Sequence, residues 1–117
     1  MGLSPPLDPE HADRAAAGLD AISIEHWSSR FDVLSDANRL RLLVCLHHAP
    51  NISVSDLAAA VGMSSTAVSQ ALRVLRHQGW VAADRDGRII RYRLVDSTVH
   101  DLLHWIGATH AAHPLHR

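Results

Sequence analysis

Histidine is the residue type in this chain with the clearest potential for chemistry. The sequence contains ten histidines, and five of them crowd the last eighteen residues: His100, His104, His110, His113 and His116. His100 and His104 stand four residues apart and His110 and His113 three apart, so each pair would share one face of a helix. Because imidazole is a ligand for zinc, nickel and cobalt, these residues are candidate metal ligands.

Arginine supplies a second set of chemically capable side chains. Lysine is absent, and six of the eleven arginines fall between residues 64 and 93: Arg73, Arg76, Arg85, Arg88, Arg91 and Arg93. The acids in that segment are Asp84 and Asp86, and the formal net charge of the whole chain is −1. A near-neutral protein with one basic segment usually binds an anionic partner through that segment.

Size and composition limit the class of protein. A chain of 12.8 kDa buries one core, so we expect one domain over residues 8–113, with a disordered tail at 1–7 and a flexible one at 114–117. Cys45 is the only cysteine, which excludes a disulfide or a thiolate cluster within one chain. Apolar runs are too short to span a membrane and no secretory leader precedes the domain, so we expect a cytoplasmic protein.

Catalytic motifs are missing from the sequence. Neither Gly-x-Ser-x-Gly, nor His-Glu-x-x-His, nor a glycine-rich phosphate loop occurs, and the chain is small for a catalytic cleft. We therefore predict that the protein is not an enzyme.

Hydrophobic periodicity predicts three helices in the N-terminal half. Two short amphipathic stretches, beginning near Asp8 and Ile24, precede an almost wholly apolar helix. This third helix begins after the polar residues 35–39 and stops at Pro50. We expect it to form the core of the domain, with Cys45 as a small buried hydrophobe.

Two further helices follow, joined by a short turn that contains glycine. The first opens at Ser53 and ends at Gly62, and the second is capped by Ser64 or Ser65 and ends at Gly79. Two helices joined in this way are the pattern of a helix-turn-helix.

The C-terminal part is predicted to contain a hairpin and one more helix. Residues 80–83 and 89–94 favour strands, and the Asp-Gly pair between them is a strong hairpin pattern. A last helix, capped by Asp96, is expected to reach His110 or His113. The predicted fold is a winged helix-turn-helix, mostly α with a β-hairpin wing, in the order α-α-α-α-α-β-β-α.

The second helix of a helix-turn-helix lies in the major groove of DNA, and its outward residues reach the base edges. Here those residues and the hairpin carry hydroxyl, amide and guanidinium groups, which bond to bases and phosphates. The predicted DNA contacts are Ser64, Ser65, Thr66, Ser69, Gln70, Arg73, Arg76, Arg85, Arg88 and Arg91. Gln70 and Arg73 are the candidate base readers. Any one of these residues could equally be a helix cap or an exposed surface residue, but the ten residues together favour DNA binding.

The stretch from Phe31 to Leu94 resembles the ArsR/SmtB family of small dimeric bacterial repressors. The matching segments are Leu34–Leu43, Ser55–Ala58, Ser65–Leu72, Leu75–Val81 and Asp86–Leu94. The resemblance implies a homodimer formed by the N-terminal and C-terminal helices. It also implies a repressor that binds a palindromic operator and leaves it when an inducer binds.

Members of this family commonly sense metals, in one of two places. One class has Cys-Val-Cys-Asp-Leu where this chain has Ser-Val-Ser-Asp-Leu at 53–57, which excludes that thiolate site for arsenic, cadmium or lead. A second class has Asp-x-His and later paired ligands on the C-terminal helix. This chain keeps Asp96 but has Thr98 in place of the first histidine, so the match is partial.

Because the thiolates of that site are absent, imidazole and carboxylate remain as metal ligands, and these suit Ni(II), Co(II) or Zn(II). The predicted set is Asp96 and His100 of one chain with His110 and His113 of the partner chain. The alternative is that this histidine-rich end binds metal only adventitiously. The protein would then be a DNA-binding module regulated by a partner protein or by another ligand. The remaining internal histidines, His26, His47, His48 and His77, are expected at the surface or at helix caps.

Overall fold

The computed structural model describes residues 4–108, which fall into two compact units that divide between Phe31 and Asp32. The first unit contains α1 (Pro9–Asp20) and most of α2 (Ile24–Leu34). Asp8 caps α1, because its Oδ1 accepts hydrogen bonds from the backbone N–H groups of Glu10 and His11 at 3.1 and 3.2 Å. No helix within residues 4–108 is both long enough and apolar enough to cross a bilayer.

The second unit contains the remaining elements in the predicted order, with one addition. They are α3 (Ala37–His48), β1 (Ile52–Ser53), α4 (Val54–Val61), α5 (Ser65–His77), β2 (Val81–Asp86), β3 (Ile89–Leu94) and α6 (Ser97–Trp105). The addition is β1, which pairs antiparallel with β3 and makes a three-stranded sheet of order β1-β3-β2. A strand of two residues carries no periodicity, so the sequence pattern could not predict it.

The core of the second unit is built around α3. Leu42 and Leu43 of this helix are fully buried, and α3 contacts α4, α5, α6 and β3, as its apolar sequence predicts. Cys45 lies partly buried against this core. Burial raises the pKa of its thiol, which favours the protonated form.

The helix-turn-helix is fixed by local capping. Ser53 caps α4 by accepting from the backbone N–H of Asp56 at 3.2 Å, and Ser64 caps α5 by accepting from that of Ala67 at 3.1 Å. Between the two helices, Gly62 has φ +70° and its N–H donates to the carbonyl of Ala58 at 2.9 Å. Glycine adopts this left-handed conformation without strain, which lets the chain turn sharply into α5.

Replacing Gly62 with alanine should therefore destabilise the protein by about 1–2 kcal/mol, the cost of the left-handed conformation for an L-residue. A Cβ at this position would meet nothing within 4 Å, so the loss comes from backbone strain. Urea unfolding of Gly62→Ala against the wild type measures it. Gly62→Asn is the matched control and should lose less, because asparagine tolerates this conformation. Equal losses in the two variants would contradict a conformational cause.

The wing is longer than predicted. The strands pair from Val81 opposite Leu94 to Asp86 opposite Ile89, so β2 continues through residues predicted as loop and leaves a turn of two residues. Gly87 opens that turn with φ +64°. Trp80, predicted to begin the strand, instead occupies the corner between α5 and β2, where its side chain is fully buried.

The last helix is shorter than predicted. It ends at Trp105. Beyond it, the N–H of Gly107 donates to the carbonyl of His104, and the N–H of Ala108 donates to the carbonyl of Leu103. These two bonds are the pattern of a Schellman motif, which stops a helix at a glycine with positive φ. The prediction that α6 reaches His110 or His113 is therefore wrong. Both histidines, and the predicted tail at 114–117, lie outside the described residues, and the predicted domain bounds stay a prediction.

Candidate functional site

One face of α5 packs into the core and the other faces outward. Val68, Leu72 and Leu75 are buried, whereas the polar and charged residues of the helix are exposed. Five of these polar and charged residues line one open groove: Ser65, Thr66, Ser69, Gln70 and Arg73. All five are exposed, and all five were predicted as DNA contacts. Their contact with DNA remains a prediction.

A second depression continues from α5 toward the wing. It is lined by Ser69, Arg73, Arg76, His77 and Tyr92, so α5 and β3 contribute to one surface. His77 and Tyr92 were not among the predicted contacts. The alternation of residues along β3 could have identified Tyr92 only if the face of the sheet nearest α5 had been known.

Ser64 lies at the start of this surface with its hydroxyl already engaged. Its Oγ accepts from the backbone N–H of Ala67, so Ser64 is a helix cap, and a contact with DNA remains a prediction for it. A cap of this kind contributes about 1 kcal/mol to helix stability.

The charges of the wing are partly neutralised within the wing. Nε of Arg91 donates to Oδ2 of Asp86 at 2.9 Å, and Nε of Arg93 donates to Oδ2 of Asp84 at 2.7 Å. Arg91 also donates to the carbonyl of Asn51 at 3.3 Å. Without DNA, Arg91 thus connects the wing to Asn51, the residue before β1. Its predicted contact with DNA stays a prediction.

Four other arginines of the basic segment remain available. Among the residues that the structure describes, no acidic side chain pairs with Arg73, Arg76, Arg85 or Arg88, and all four are exposed. Arg85 donates only to the carbonyl of Gly87, at 3.4 Å. Because both acids of the segment are paired with other arginines, the positive charge of this surface is carried by these four guanidinium groups.

Three histidines of the second unit meet at the end of α3. The ring centroid of His47 lies 4.7 Å from that of His100 and 4.7 Å from that of His104, and the last two are 4.8 Å apart. One ligand nitrogen from each ring lies within 4.8 Å of the others. We call these three residues the histidine cluster.

The prediction that His47 lies at the surface or at a cap is wrong. Its side chain is only 5% exposed, because α6 packs over the last turn of α3. Its neighbour His48 is exposed, as expected. The spacing within α3 could have distinguished the two histidines, because His47 follows the buried Leu43 by four residues and so lies on the buried face of the helix.

The predicted metal set is only partly described. Asp96 caps α6, accepting from the backbone N–H of Val99 at 2.9 Å, and His100 one turn later belongs to the histidine cluster. His110 and His113 lie outside the described residues. The set as a whole therefore remains a prediction.

Comparison with known proteins extends over the helix-turn-helix and beyond it. A family model described as the MarR family matches residues 34–89. The regulator NmtR of Mycobacterium tuberculosis, an HTH-type transcriptional regulator, is 43% identical over 94 residues, which span 80% of this chain and 78% of NmtR. The transcriptional repressor SmtB homolog of Synechocystis is 44% identical over 72 residues, 62% of this chain and 54% of the relative.

Solved structures show the same fold. The antimony-specific transcriptional repressor AntR superposes with a TM-score of 0.63 at 37% identity, covering 87% of this chain and 90% of AntR. The winged helix-turn-helix DNA-binding domain of Mb0332 from Mycobacterium bovis, described as homodimeric and as a possible ArsR-family regulator, superposes with a TM-score of 0.63. It is 31% identical over 80% of this chain and 82% of that one.

Proposed function

The chain belongs to the ArsR/SmtB family of winged helix-turn-helix transcriptional regulators, and we propose that it is a cytoplasmic repressor. In this proposal it binds a palindromic operator as a homodimer, and a metal ion releases it from the DNA. The observation that carries the proposal is the exposed polar face of α5, which extends to Tyr92 of the wing. Four exposed arginines, which pair with no acidic side chain among the described residues, add to it. Because the relatives are transcriptional regulators, the prediction that the chain is not an enzyme is confirmed.

In this proposal α5 enters the major groove. Gln70 and Arg73 stand one turn apart on its exposed face, at the spacing that lets two side chains address neighbouring base pairs. Arg85 and Arg88, at the tip of the wing, contact phosphates or the minor groove beside it. The hydroxyl groups of Ser65, Thr66 and Ser69 supply additional bonds to the DNA backbone.

The homodimer is supported by exposed apolar side chains in both terminal regions. Helix α1 buries none of its residues, and Leu19 is 61% exposed. At the end of α6, Trp105 is 84% exposed and Ile106 is 50% exposed. Large exposed apolar side chains mark surfaces that bind other proteins. A two-fold dimer would present two copies of α5 to half-sites about 34–36 Å apart, one turn of DNA.

The metal response is inferred from the ligands that this chain offers. AntR is named for antimony, but in this chain Ser53 and Ser55 provide hydroxyl groups at the start of α4, with their Oγ atoms 3.2 Å apart. Hydroxyl groups do not replace thiolates as ligands for soft ions, whereas imidazole suits Ni(II), Co(II) or Zn(II). We therefore place the metal response on the histidines.

The test is fluorescence anisotropy with DNA from the gene's own promoter region, at fixed salt, first with chelator and then with each metal. We expect binding that prefers an inverted repeat to unrelated DNA, and a loss of affinity of at least tenfold, about 1.4 kcal/mol, with one of the metals. Equal affinity for unrelated DNA would contradict the operator proposal. Tight operator binding that no metal changes would contradict the metal response and favour regulation by a partner protein or another ligand.

The wing makes a separate prediction about salt. Each phosphate contact contributes about −0.9 to the slope of log Kobs against log salt, so Arg88→Gln, present twice in a dimer, should reduce the slope by about 2. Anisotropy titrations over a salt series measure it. Arg41→Gln is the matched control, because Arg41 bonds to Asn38 at 2.7 Å and lines a different, apolar groove. An unchanged slope for Arg88→Gln would mean that the wing tip does not reach phosphates.

A further inference from the structure

We propose that His47, His100 and His104 bind one divalent transition-metal ion within a single chain, joining α6 to the last turn of α3. The proposal concerns the histidine cluster and does not need the partner chain. It shares only His100 with the set predicted from the sequence.

The spacing of the three rings fits one central ion. With metal–nitrogen bonds of about 2.0–2.1 Å in tetrahedral geometry, the centroids of three coordinating imidazoles are spaced about 5 Å apart. The observed centroid distances are 4.7, 4.7 and 4.8 Å. The ligand nitrogens lie within 4.8 Å of one another, whereas coordination brings them to about 3.3 Å. Binding of the ion therefore requires the three rings to turn toward a common centre.

The backbone holds the cluster from both sides. His100 and His104 are one turn apart on α6, a spacing that directs two imidazoles to the same ion. His47 approaches from α3 and is buried, and α6, whose Val99 and Leu103 are also buried, packs on α3. Two ligands from one helix and a third from another therefore meet with little loss of conformational entropy.

The ligand chemistry selects the ion. Three neutral imidazoles with a fourth position open to water form a tetrahedral set, which suits Zn(II) and its spectroscopic substitute Co(II). Asp101 adds a carboxylate beside the set, with its Oδ1 3.6 Å from Nδ1 of His100.

The location of the cluster connects it to the DNA-binding elements. Helix α3 contacts both α5 and β3, so an ion that fixes α6 on α3 acts on the helix that supports the recognition surface. This regulatory step rests on the proposed function, whereas the binding of the ion does not.

The first experiment titrates Co(II) into the metal-free, full-length protein without DNA and follows the visible absorption of tetrahedral Co(II). We expect one ion per chain, and a loss of affinity of at least tenfold in each of His100→Gln and His104→Gln. His47→Gln should lose as much, and thermal unfolding checks that this variant is folded. His26→Gln is the matched control, since His26 is exposed on α2 and is not a member of the histidine cluster, and it should bind as the wild type does.

A second full-length variant separates the cluster from the set predicted at the C-terminus. The triple variant His110→Ala, His113→Ala, His116→Ala should keep the Co(II) affinity and spectrum of the wild type. If this variant loses Co(II) while His104→Gln retains it, the proposal is overturned. Retention of wild-type affinity by His47→Gln and His104→Gln together would overturn it equally.

A third measurement addresses regulation separately. Zn(II) should change the DNA affinity of the wild type by at least tenfold and that of His104→Gln by much less. If Co(II) binds at the cluster but Zn(II) leaves DNA affinity unchanged, the metal site stands and its regulatory role is overturned. If DNA does not bind at all, the proposed function fails while the Co(II) titration still decides the site.

Discussion

Replacing Arg73 with alanine should weaken specific operator binding by about thirty-fold or more. Arg73 is exposed and lines both depressions of the α5 surface. A bidentate contact between arginine and guanine is worth about 1–3 kcal/mol. Since a dimer loses two such contacts, the affinity should fall by about 2–6 kcal/mol, or about thirty-fold to twenty-thousand-fold. Anisotropy titrations with operator DNA at one fixed salt concentration measure this loss.

The same variant also tests how Arg73 contributes. Because the described residues offer Arg73 no ion pair within the chain, Arg73→Ala should change the free energy of unfolding by less than about 0.5 kcal/mol. If Arg73 reads a base, affinity for unrelated DNA should fall far less than affinity for the operator. Equal losses on both DNAs would contradict base reading and assign Arg73 to a phosphate. Gln70→Ala gives the parallel test for an adenine contact.

Replacing Trp80 with alanine should cost about 3–5 kcal/mol of folding free energy, the range for a large aromatic side chain removed from a core. Trp80 is fully buried at the corner between α5 and β2. The backbone N–H of Trp80 donates to the backbone carbonyl of Leu75 at 3.0 Å. The backbone carbonyl of Trp80 accepts from the backbone N–H of Val95 at 2.8 Å. Because small domains are stable by about 5–15 kcal/mol, this loss should lower the urea midpoint strongly and weaken DNA binding as well.

Two controls identify the cause of that destabilisation. Trp80→Phe keeps a ring in the same space and should lose much less than Trp80→Ala. Ile89→Ala removes an apolar side chain from the wing where it is 44% exposed, and should cost less than about 1 kcal/mol. A loss below about 1 kcal/mol for Trp80→Ala would contradict the packing of this corner.

Most of the fold could be predicted from the sequence, because its determinants are local. The serines that cap α4 and α5 act on backbone groups three residues away, and the predicted start of each helix follows from them. Gly62 and Gly87 mark turns by the same kind of local rule. Gly107 marks the end of α6 in the same way. The predicted length of that helix was wrong because Gly107, and not Pro114, ends it.

Local sequence patterns predict the order of the helices and of the hairpin strands, and the polar face of α5. They do so because periodicity and capping depend on residues within a few positions of one another. Tertiary structure alone decided which arginines remain available, since the pairing of Asp84 with Arg93 and of Asp86 with Arg91 requires two strands in register. It also decided that His47, rather than His48, lies beside His100 and His104. His47 is more than fifty positions from the other two in the chain, and only the packing of α6 on α3 brings it to them.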